Sequence, residues 1–371
     1  MTNEEKREYV RTWHRLLMKH HAAAQADLLP DQEVIASYQD FLTEFSGTLY
    51  PLQPKKFYRY RTFSECELKN LRNGTAWFSC PEQFDDSVDS TLNIDLVAEL
   101  AEILGPNGDA ELRKSFAVSY LEYQLKKAGI QANRELIKEA VEKMDSLGFE
   151  RGASSFFDKY LGDEDSRQLT KQTEVVLDSI CNDELKEAVL GWIQNYQDTN
   201  KKIRASMFTL CLTEEGDNDV MWGRYADACE GFCIQYEIPP TTAHAQLVLS
   251  NMFPIYYGEK PAIRLRDILK DGVFNPNGET VIHGIRQSDY ENMYVSVYTK
   301  SPGWSFQKEW RVTYGKENLQ PFPYATALIL GEKMPEDHKA KLIEIAKEKG
   351  LSVFERCLNS SGSKVICEKL F

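Results

Sequence analysis

Glu309 lies in a segment whose polar side chains alternate with aromatic and aliphatic ones. The segment, residues 301–315, reads SPGWSFQKEWRVTYG and places Gln307, Glu309 and Arg311 at alternate positions. Successive side chains of a strand leave opposite faces of the sheet, so this spacing predicts a strand with one apolar and one polar face. A carboxylate beside a groove can hold a ribose hydroxyl and offset oxocarbenium charge. Glu309 is therefore a candidate catalytic residue at a glycosidic bond. The alternative is that Glu309 and Arg311 form cross-strand ion pairs.

A second pair of charged side chains alternates in FYRYR, residues 57–61. Arg59 and Arg61 fall on one face of the predicted strand, and Tyr58 falls on the other. Two guanidinium groups at this spacing can grip a phosphate or a carboxylate with forked hydrogen bonds. The alternative is a solvated face that pairs with acidic neighbours. If the face binds a ligand, we expect it to offer positive charge to Glu309 across a shared pocket.

Trp222 and Tyr225 are three residues apart in a predicted helix, and they therefore share one of its faces. An aromatic stripe of this kind is more often part of a core than a platform for a base. The helix follows three polar residues, 217–219, so a role in lining a cleft remains the alternative.

Asp86 belongs to FDDSVDS, residues 84–90, whose aspartates spell a DDxxD pattern. Some enzymes bind magnesium with this pattern, but no second metal motif accompanies it here. We assign no metal ligand. Asp86 is a candidate for a pocket rim, and its alternative role is to cap a loop.

The composition excludes several classes of protein. The chain has 371 residues and a formal net charge of −13, which argues against nucleic-acid binding through an overall positive field. No apolar run approaches the roughly 18 residues of a membrane span, and no signal-peptide core is present, so we expect a cytoplasmic protein. The eight cysteines include no CxxC pair, which indicates reduced thiols. The chain lacks a Walker loop and a GxGxxG motif after a strand.

The elements that must position these residues indicate an α+β fold. Helical spacing covers residues 3–22 and 31–46, and strand-like alternation begins at 55–63. Apolar residues recur at helical spacing almost throughout 93–204. Further strand-like runs lie at 206–212, 232–238, 326–331, 351–357 and 364–370.

We therefore predict a mixed β-sheet core domain that is interrupted by a large all-helical insertion and preceded by N-terminal helices. The predicted bounds are 1–53 for the N-terminal helical segment, 54–92 and 205–371 for the core domain, and 93–204 for the insertion. The strands before and after the insertion should form one sheet, because those before it are too few to be stable alone.

Five motifs occur in an order that resembles a bacterial domain-of-unknown-function family, family 2971. They are FYRYR, LKNLRNGTAWFSCPEQFDD, MWGRYADACEGFCIQYEI, YTKSPGWSFQKEWRV and ALILGEKM. The resemblance covers about 54–92 and 205–371, and it implies that Lys300 and Trp304 of the fourth motif contribute to ligand binding. Two positions depart from the pattern: residues 85–88 read DDSV where the family usually has NDPF, and Gln307 stands where a glutamate is frequent.

Members of this family are often found beside mobile-element and phage-defence genes, so the resemblance implies an effector or sensor inside the cell. The order of a strand arginine, a strand-end serine and a late strand glutamate is also similar to the layout of ADP-ribosyltransferases. In that layout the arginine grips NAD, the serine orders it and the glutamate acts on the ribose. Carried over, the likeness nominates Arg59 or Tyr58, Ser79 and Glu309, with NAD as the cofactor.

Three functions follow from these observations. The first is an effector with a nucleotide-binding cleft and ADP-ribosyltransferase-like chemistry. The second is a non-catalytic sensor that binds a small molecule or a protein, with the insertion at 93–204 contacting the protein partner. The third is a metal-dependent phosphodiesterase or nuclease that uses Asp85, Asp86 and Glu309; the acidic charge disfavours it.

Overall fold

A computed structural model describes most of the chain outside the predicted insertion. The described residues are 1–24, 31–86, 89–94, 198, 201, 204–205, 207–263, 273–274, 280–281, 287–313, 317–358 and 365–370. The insertion predicted at 93–204 lies almost wholly outside them. The chain divides into two compact units, one formed by 1–90, 204–260 and 297–371, and the other by 91–203 and 261–296.

The first unit contains an eight-stranded mixed sheet, which confirms the predicted α+β class. The strands follow the order β14-β13-β12-β4-β1-β3-β10-β5. Their bounds are β1 Phe57–Arg61, β3 Thr209–Thr213, β4 Phe232–Tyr236, β5 Met252–Pro254, β10 Glu309–Thr313, β12 Ala325–Leu330, β13 Ser352–Leu358 and β14 Val365–Lys369. Only β12 and β13 pair in parallel, and the other neighbours in this sheet are antiparallel. As predicted, β1 joins strands from the far side of the insertion.

Short strands accompany this sheet. In the first unit, β2 (Thr75–Trp77) pairs with β11 (Leu319–Pro321), and β6 (Tyr256–Tyr257) pairs with β9 (Thr299–Lys300). In the second unit, β7 (Val273–Phe274) and β8 (Thr280–Val281) form an antiparallel pair.

The two N-terminal helices begin and end close to the predicted bounds, 3–22 and 31–46, whereas the helix at Ala243–Ser250 was not predicted. The helix bounds are α1 Asn3–Ala24, α2 Asp31–Thr48, α3 Glu65–Asn73, α4 Asp219–Tyr225, α5 Ala243–Ser250, α6 Gln287–Val297 and α7 Glu336–Lys349. The caps of α3 explain its length. Ser64 accepts a hydrogen bond from the Glu67 amide, and Gly74 ends the helix with a φ of 64° that glycine adopts without steric cost. No helix among the described residues combines the length and the hydropathy needed to cross a membrane.

The first of the predicted N-terminal helices, α1, packs against the apolar face of β10. Tyr9 of α1 meets the Trp310 ring edge-on at 5.8 Å, and Phe57 meets the same ring at 5.9 Å. Trp13 donates from Nε1 to the Ser250 carbonyl at 2.7 Å. Edge-to-face aromatic contacts of this kind stabilise a core beyond the burial of their area. The opposite face of β10 is therefore left to carry Glu309.

Candidate functional site

A cavity of about 300 Å³ lies in the first unit, on the face of the sheet that carries Glu309. Its walls come from β1, residues 79–86 together with Asp89, β3, α4 and the segment 300–309. They comprise Tyr58, Arg59, Tyr60, Arg61, Ser79, Gln83, Phe84, Asp85, Asp86, Asp89, Thr209, Cys211, Leu212, Thr213, Met221, Tyr225, Lys300, Trp304, Gln307 and Glu309. The three residues nominated for catalysis, Arg59, Ser79 and Glu309, thus border one hollow.

The cavity forms where two neighbouring strands separate. β1 and β3 are paired at Tyr58 and Thr213, and at the other end of β3 it is Ser79 that bridges Thr209. The Ser79 amide donates to the Thr209 carbonyl at 2.9 Å, and the Thr209 amide donates back at 3.0 Å. Ser79 is therefore held in the cavity wall by its main chain.

Four buried charged side chains form the base of the site. Arg311 donates from both terminal nitrogens to Asp89, at 2.7 and 2.6 Å, and from Nε to Glu309 Oε1 at 2.6 Å. Lys300 donates to Glu309 Oε2 and lies 3.6 Å from Asp89. All four are less than 10% exposed. The two cations balance the two anions, as buried charges require.

Electrostatics keep both carboxylates ionised. Burial by itself would raise the pKa of Glu309, but Arg311 and Lys300 lower that pKa below its ordinary value. The pKa of Asp89 is also lowered, because the attraction of Arg311 and Lys300 exceeds the effect of burial. Glu309 therefore presents a fixed negative charge to the cavity.

The fourth motif continues the network towards the rim. Lys300 donates to Gln307 Oε1 at 2.8 Å, and Gln307 donates from Nε2 to the Tyr225 hydroxyl at 2.7 Å. Trp304 stands beside them, with the Arg224 guanidinium 4.5 Å from its ring. Arg224 also pairs with the exposed Asp85 at 3.1 Å. The rim is therefore aromatic as well as charged.

The strand predicted across 301–315 is wrong in its first half. Residues Pro302–Gln307 form a 3₁₀ turn, and Lys308 adopts a left-handed φ of 41° before β10 begins at Glu309. Pro302 at the start of the turn favours this conformation, since its ring fixes φ near the helical value. Gln307 still reaches the cavity, but from the turn instead of from a strand.

Trp222 belongs to the core and does not line the cavity, so the nomination of Trp222 for ligand binding is corrected. Its ring is fully buried, meets Tyr60 edge-on at 5.2 Å and lies under the Arg356 guanidinium at 4.8 Å. Its Nε1 donates to the Gly216 carbonyl at 3.2 Å. Tyr225, by contrast, does line the cavity.

Asn218, the N-cap residue of α4, fixes the position of this helix and so of Tyr225 at the rim. Its side chain accepts from the Met221 amide and donates to the Phe306 carbonyl at 2.9 Å. Its own amide donates to the Tyr60 hydroxyl at 3.1 Å. One N-cap residue thus ties the start of α4 to β1 and to the turn that carries Gln307.

Arg59 and Arg61 border the cavity with Glu309, but their guanidinium groups are engaged by other residues and do not pair with Glu309. The pairing of Tyr58 with Thr213, and of Thr213 with Glu309, places Tyr58 on the face of Glu309. By strand alternation the side chains of Arg59 and Arg61 belong to the other face. Arg59 donates to the Trp77 carbonyl at 2.8 Å, and Arg61 pairs with Glu67.

The remaining nominated residues either line the cavity or lie behind its wall. Asp86, Lys300 and Trp304 line the cavity with Tyr58. Arg311 does not, because it is buried behind Glu309 and orients its carboxylate. Positive charge at the site thus comes from Lys300 and Arg311.

Two residues that the sequence reasoning did not nominate contribute to the site. Asp89 is the last aspartate of FDDSVDS and holds both terminal nitrogens of Arg311. The Tyr257 hydroxyl accepts from the Glu309 amide at 2.8 Å and fixes the start of β10. The spacing of the aspartates was a signal for Asp89, whereas nothing near Tyr257 in the sequence indicates its role.

A metal centre gains no support from the described part of the chain. No group of three or more His, Cys, Asp and Glu side chains there is placed to hold a metal ion. Asp85 is paired with Arg224, and Glu309 with Lys300 and Arg311. This arrangement does not favour the metal-dependent nuclease alternative.

Comparison with known proteins supports one family. Residues 221–312 match the family model described as "Protein of unknown function (DUF2971)", and this segment includes most of α4 together with Lys300, Trp304 and Glu309. The curated proteins and the solved structures contain no match to the chain. Residues 221–312 thus resemble the DUF2971 family, which is the family that the motifs predict.

Proposed function

We propose that the cavity beside Glu309 binds a nucleotide and that the protein is an ADP-ribosyltransferase-like enzyme that uses NAD. The observation that carries the proposal is an ionised, rigidly held carboxylate in the wall of a cavity whose rim is aromatic. The biological setting we propose is that of a cytoplasmic bacterial effector in a defence or toxin system, in keeping with the family resemblance.

The carboxylate suits chemistry at the ribose. In the proposed reaction the bond between ribose C1′ and the nicotinamide nitrogen breaks, and nicotinamide leaves with the bonding electrons. Glu309 would accept a hydrogen bond from a ribose hydroxyl and offset the positive charge that develops on the sugar. Water or an acceptor side chain then forms the new bond to C1′ and loses its proton.

The rim suits a base. Trp304 and Tyr225 are both half-buried, so each offers ring surface and keeps one side packed. Stacking on an aromatic side chain contributes about 1–3 kcal/mol per base. Small-molecule cavities range over roughly 300–1,000 Å³, and this one is about 300 Å³. We therefore expect one nucleoside half of NAD to enter and the other half to remain outside.

A non-catalytic binding module is the second candidate, and one observation favours it. Both oxygens of Glu309 are engaged, Oε1 by Arg311 and Oε2 by Lys300. A carboxylate that is fully committed to cations can recognise a ligand without taking part in a reaction. A protein partner at 93–204 would fit this second candidate, as the sequence analysis suggested.

The test is NAD turnover by purified protein. Nicotinamide release is measured by chromatography. We expect release by the wild type and by Glu230→Gln, a control that makes the same chemical change at an exposed residue. We expect Glu309→Gln to lose turnover while Trp304→Ala loses NAD affinity. Thermal unfolding of each variant shows whether it is folded.

The outcomes separate the two candidates. NAD binding without nicotinamide release by the wild type favours the binding module. Absence of both from the folded wild type rejects the NAD proposal. Retention of full turnover by folded Glu309→Gln rejects Glu309 as the catalytic residue.

A further inference from the structure

A second cavity, of about 140 Å³, lies on the other face of the same sheet in the first unit. Arg59 is opposite Ile234 in the pairing of β1 with β4, and paired residues of neighbouring strands share a face. Ile234 lines this cavity with Arg59. Tyr58, which precedes Arg59 in β1, lines the first cavity only. Arg59 borders both cavities.

Most of the wall of the second cavity is apolar. Aliphatic and aromatic side chains dominate it, namely Leu71, Ile234, Tyr236, Phe322, Pro323 and Leu351. Asn70 and Thr75 add two groups that can form hydrogen bonds. A volume of about 140 Å³ is below the roughly 300 Å³ of sites for drug-sized ligands, so an occupant must be small.

The charges in this wall leave an excess of positive charge. Arg59, Lys349 and Glu67 are its ionisable members that carry charge at neutral pH. The carboxylate of Glu67 is engaged by Arg61, which adds a further positive charge beside it. Neither Arg59 nor Lys349 forms an ion pair with any residue in the described part of the chain.

The Arg59 guanidinium has more N–H donors than hydrogen-bond partners among the described residues. Arg59 is half-buried, and within the described part of the chain its guanidinium donates one hydrogen bond, to the Trp77 carbonyl, although a guanidinium carries five N–H donors. Burial lowers the pKa of Arg59, and the neighbouring Arg61 lowers it further. A partly buried cation is costly unless an anion compensates it.

We propose that the second cavity binds a small organic carboxylate, with the carboxylate on Arg59 and Lys349 and an apolar body against Phe322 and Leu351. A guanidinium matches a carboxylate through two parallel hydrogen bonds, which is the forked contact suggested by the alternation in FYRYR. The apolar walls favour an organic acid over inorganic phosphate, because phosphate would leave them without a partner. Arg59 borders both cavities, but the proposal does not depend on the function proposed for the first one.

Calorimetric titration with benzoate tests this proposal. We expect saturable binding to the wild type and no binding of benzamide, which has the same shape without the charge. Loss of a charge-assisted hydrogen bond should weaken benzoate binding by about tenfold or more in Arg59→Met. Lys349→Met should weaken it less, and because Lys349 is exposed this variant should fold normally.

Two controls locate the site. Lys333→Met makes the same change at an exposed lysine outside both cavities, and Trp304→Ala alters the first cavity alone. Both should bind benzoate as the wild type does. Absence of saturable benzoate binding, equal binding of benzamide, unchanged affinity in folded Arg59→Met and Lys349→Met, or binding of inorganic phosphate in place of benzoate would overturn the proposal.

Discussion

Glu309 and Arg311 are two residues apart in β10 and share a face of the sheet, yet they have different surroundings. Glu309 borders the cavity, and Arg311 lies behind it with its guanidinium divided between Glu309 and Asp89. Glu309 can therefore contact a ligand, whereas Arg311 acts through the carboxylate that it orients. Asp89, which also lines the cavity, neutralises the arginine.

The first prediction concerns Asp89. Asp89→Asn leaves Arg311 buried with one carboxylate fewer, and breaking a buried ion pair in this way costs about 3–5 kcal/mol. We expect the free energy of unfolding, measured by chemical denaturation, to fall by that amount. Asp85→Asn makes the same change in the same segment, but it removes an exposed pair whose contribution is about 0–1 kcal/mol. Equal effects of the two substitutions would contradict the role assigned to Asp89.

The second prediction concerns Lys260, which lies near Asp89 and Asp86. Burial lowers the pKa of Lys260 to about 8, although both aspartates act in the opposite direction. An unfolded lysine has a pKa of about 10.4, so between these values the unfolded chain binds more protons at this position than the folded chain. The contribution of Lys260 to the free energy of unfolding is therefore least below pH 8 and rises as pH increases towards about 10.4.

Denaturation at a series of pH values checks this sign. The difference in unfolding free energy between wild type and Lys260→Met should increase between pH 8 and about 10. The same difference for Lys333→Met, an exposed lysine, should stay constant. A constant difference for Lys260→Met would show that burial does not lower the pKa of Lys260.

At the scale of elements, a tight turn connects α4 to β4. Asp227, Ala228 and Cys229 all have positive φ values, of 50°, 50° and 75°. Such values are costly for residues other than glycine, and they persist where the surroundings enforce them. Here Gly331 packs against the turn and donates to the Gly231 carbonyl at 3.0 Å. The turn is therefore held by the first residue after β12.

The third prediction tests that contact. A Cβ at position 331 would lie 2.1 Å from the Cys229 carbonyl oxygen, so Gly331→Ala must displace the backbone of the turn. We expect a loss of about 1–3 kcal/mol in unfolding free energy, as for other overpacked sites. Gly223→Ala is the control, because a Cβ there meets nothing within 4 Å. That change lies in α4 and should raise stability by about 0.5–1 kcal/mol. Similar losses in both variants would contradict the assignment.

At the scale of the whole molecule, local patterns predicted many of the elements but not the register that combines the strands. Alternation in FYRYR placed Arg59 and Tyr58 correctly on opposite faces of β1. Which of them shares a face with Glu309 depends on the pairing of Tyr58 with Thr213 and of Thr213 with Glu309. A slip of one residue exchanges the faces of a strand, and no local pattern specifies it.

The residues that the sequence analysis missed or assigned to the wrong environment depend on contacts between distant parts of the chain. The partner of Arg311 is Asp89, which is 222 positions away in the chain and lies in a segment without strand or helix periodicity. Trp222 and Tyr225 share one face of a helix, yet Trp222 belongs to the core and Tyr225 lines the cavity. Their different environments arise from packing against Tyr60 and Gln307, which a single helix pattern does not contain.

Calorimetric titration of the wild type with ADP-ribose tests the central claim most directly, because it asks whether the cavity beside Glu309 is a nucleotide site before any reaction is considered. The account predicts saturable binding to one site, weakened about tenfold in Trp304→Ala through loss of a stacking ring. No saturable binding by the folded wild type, or equal affinity in Trp304→Ala, would contradict it.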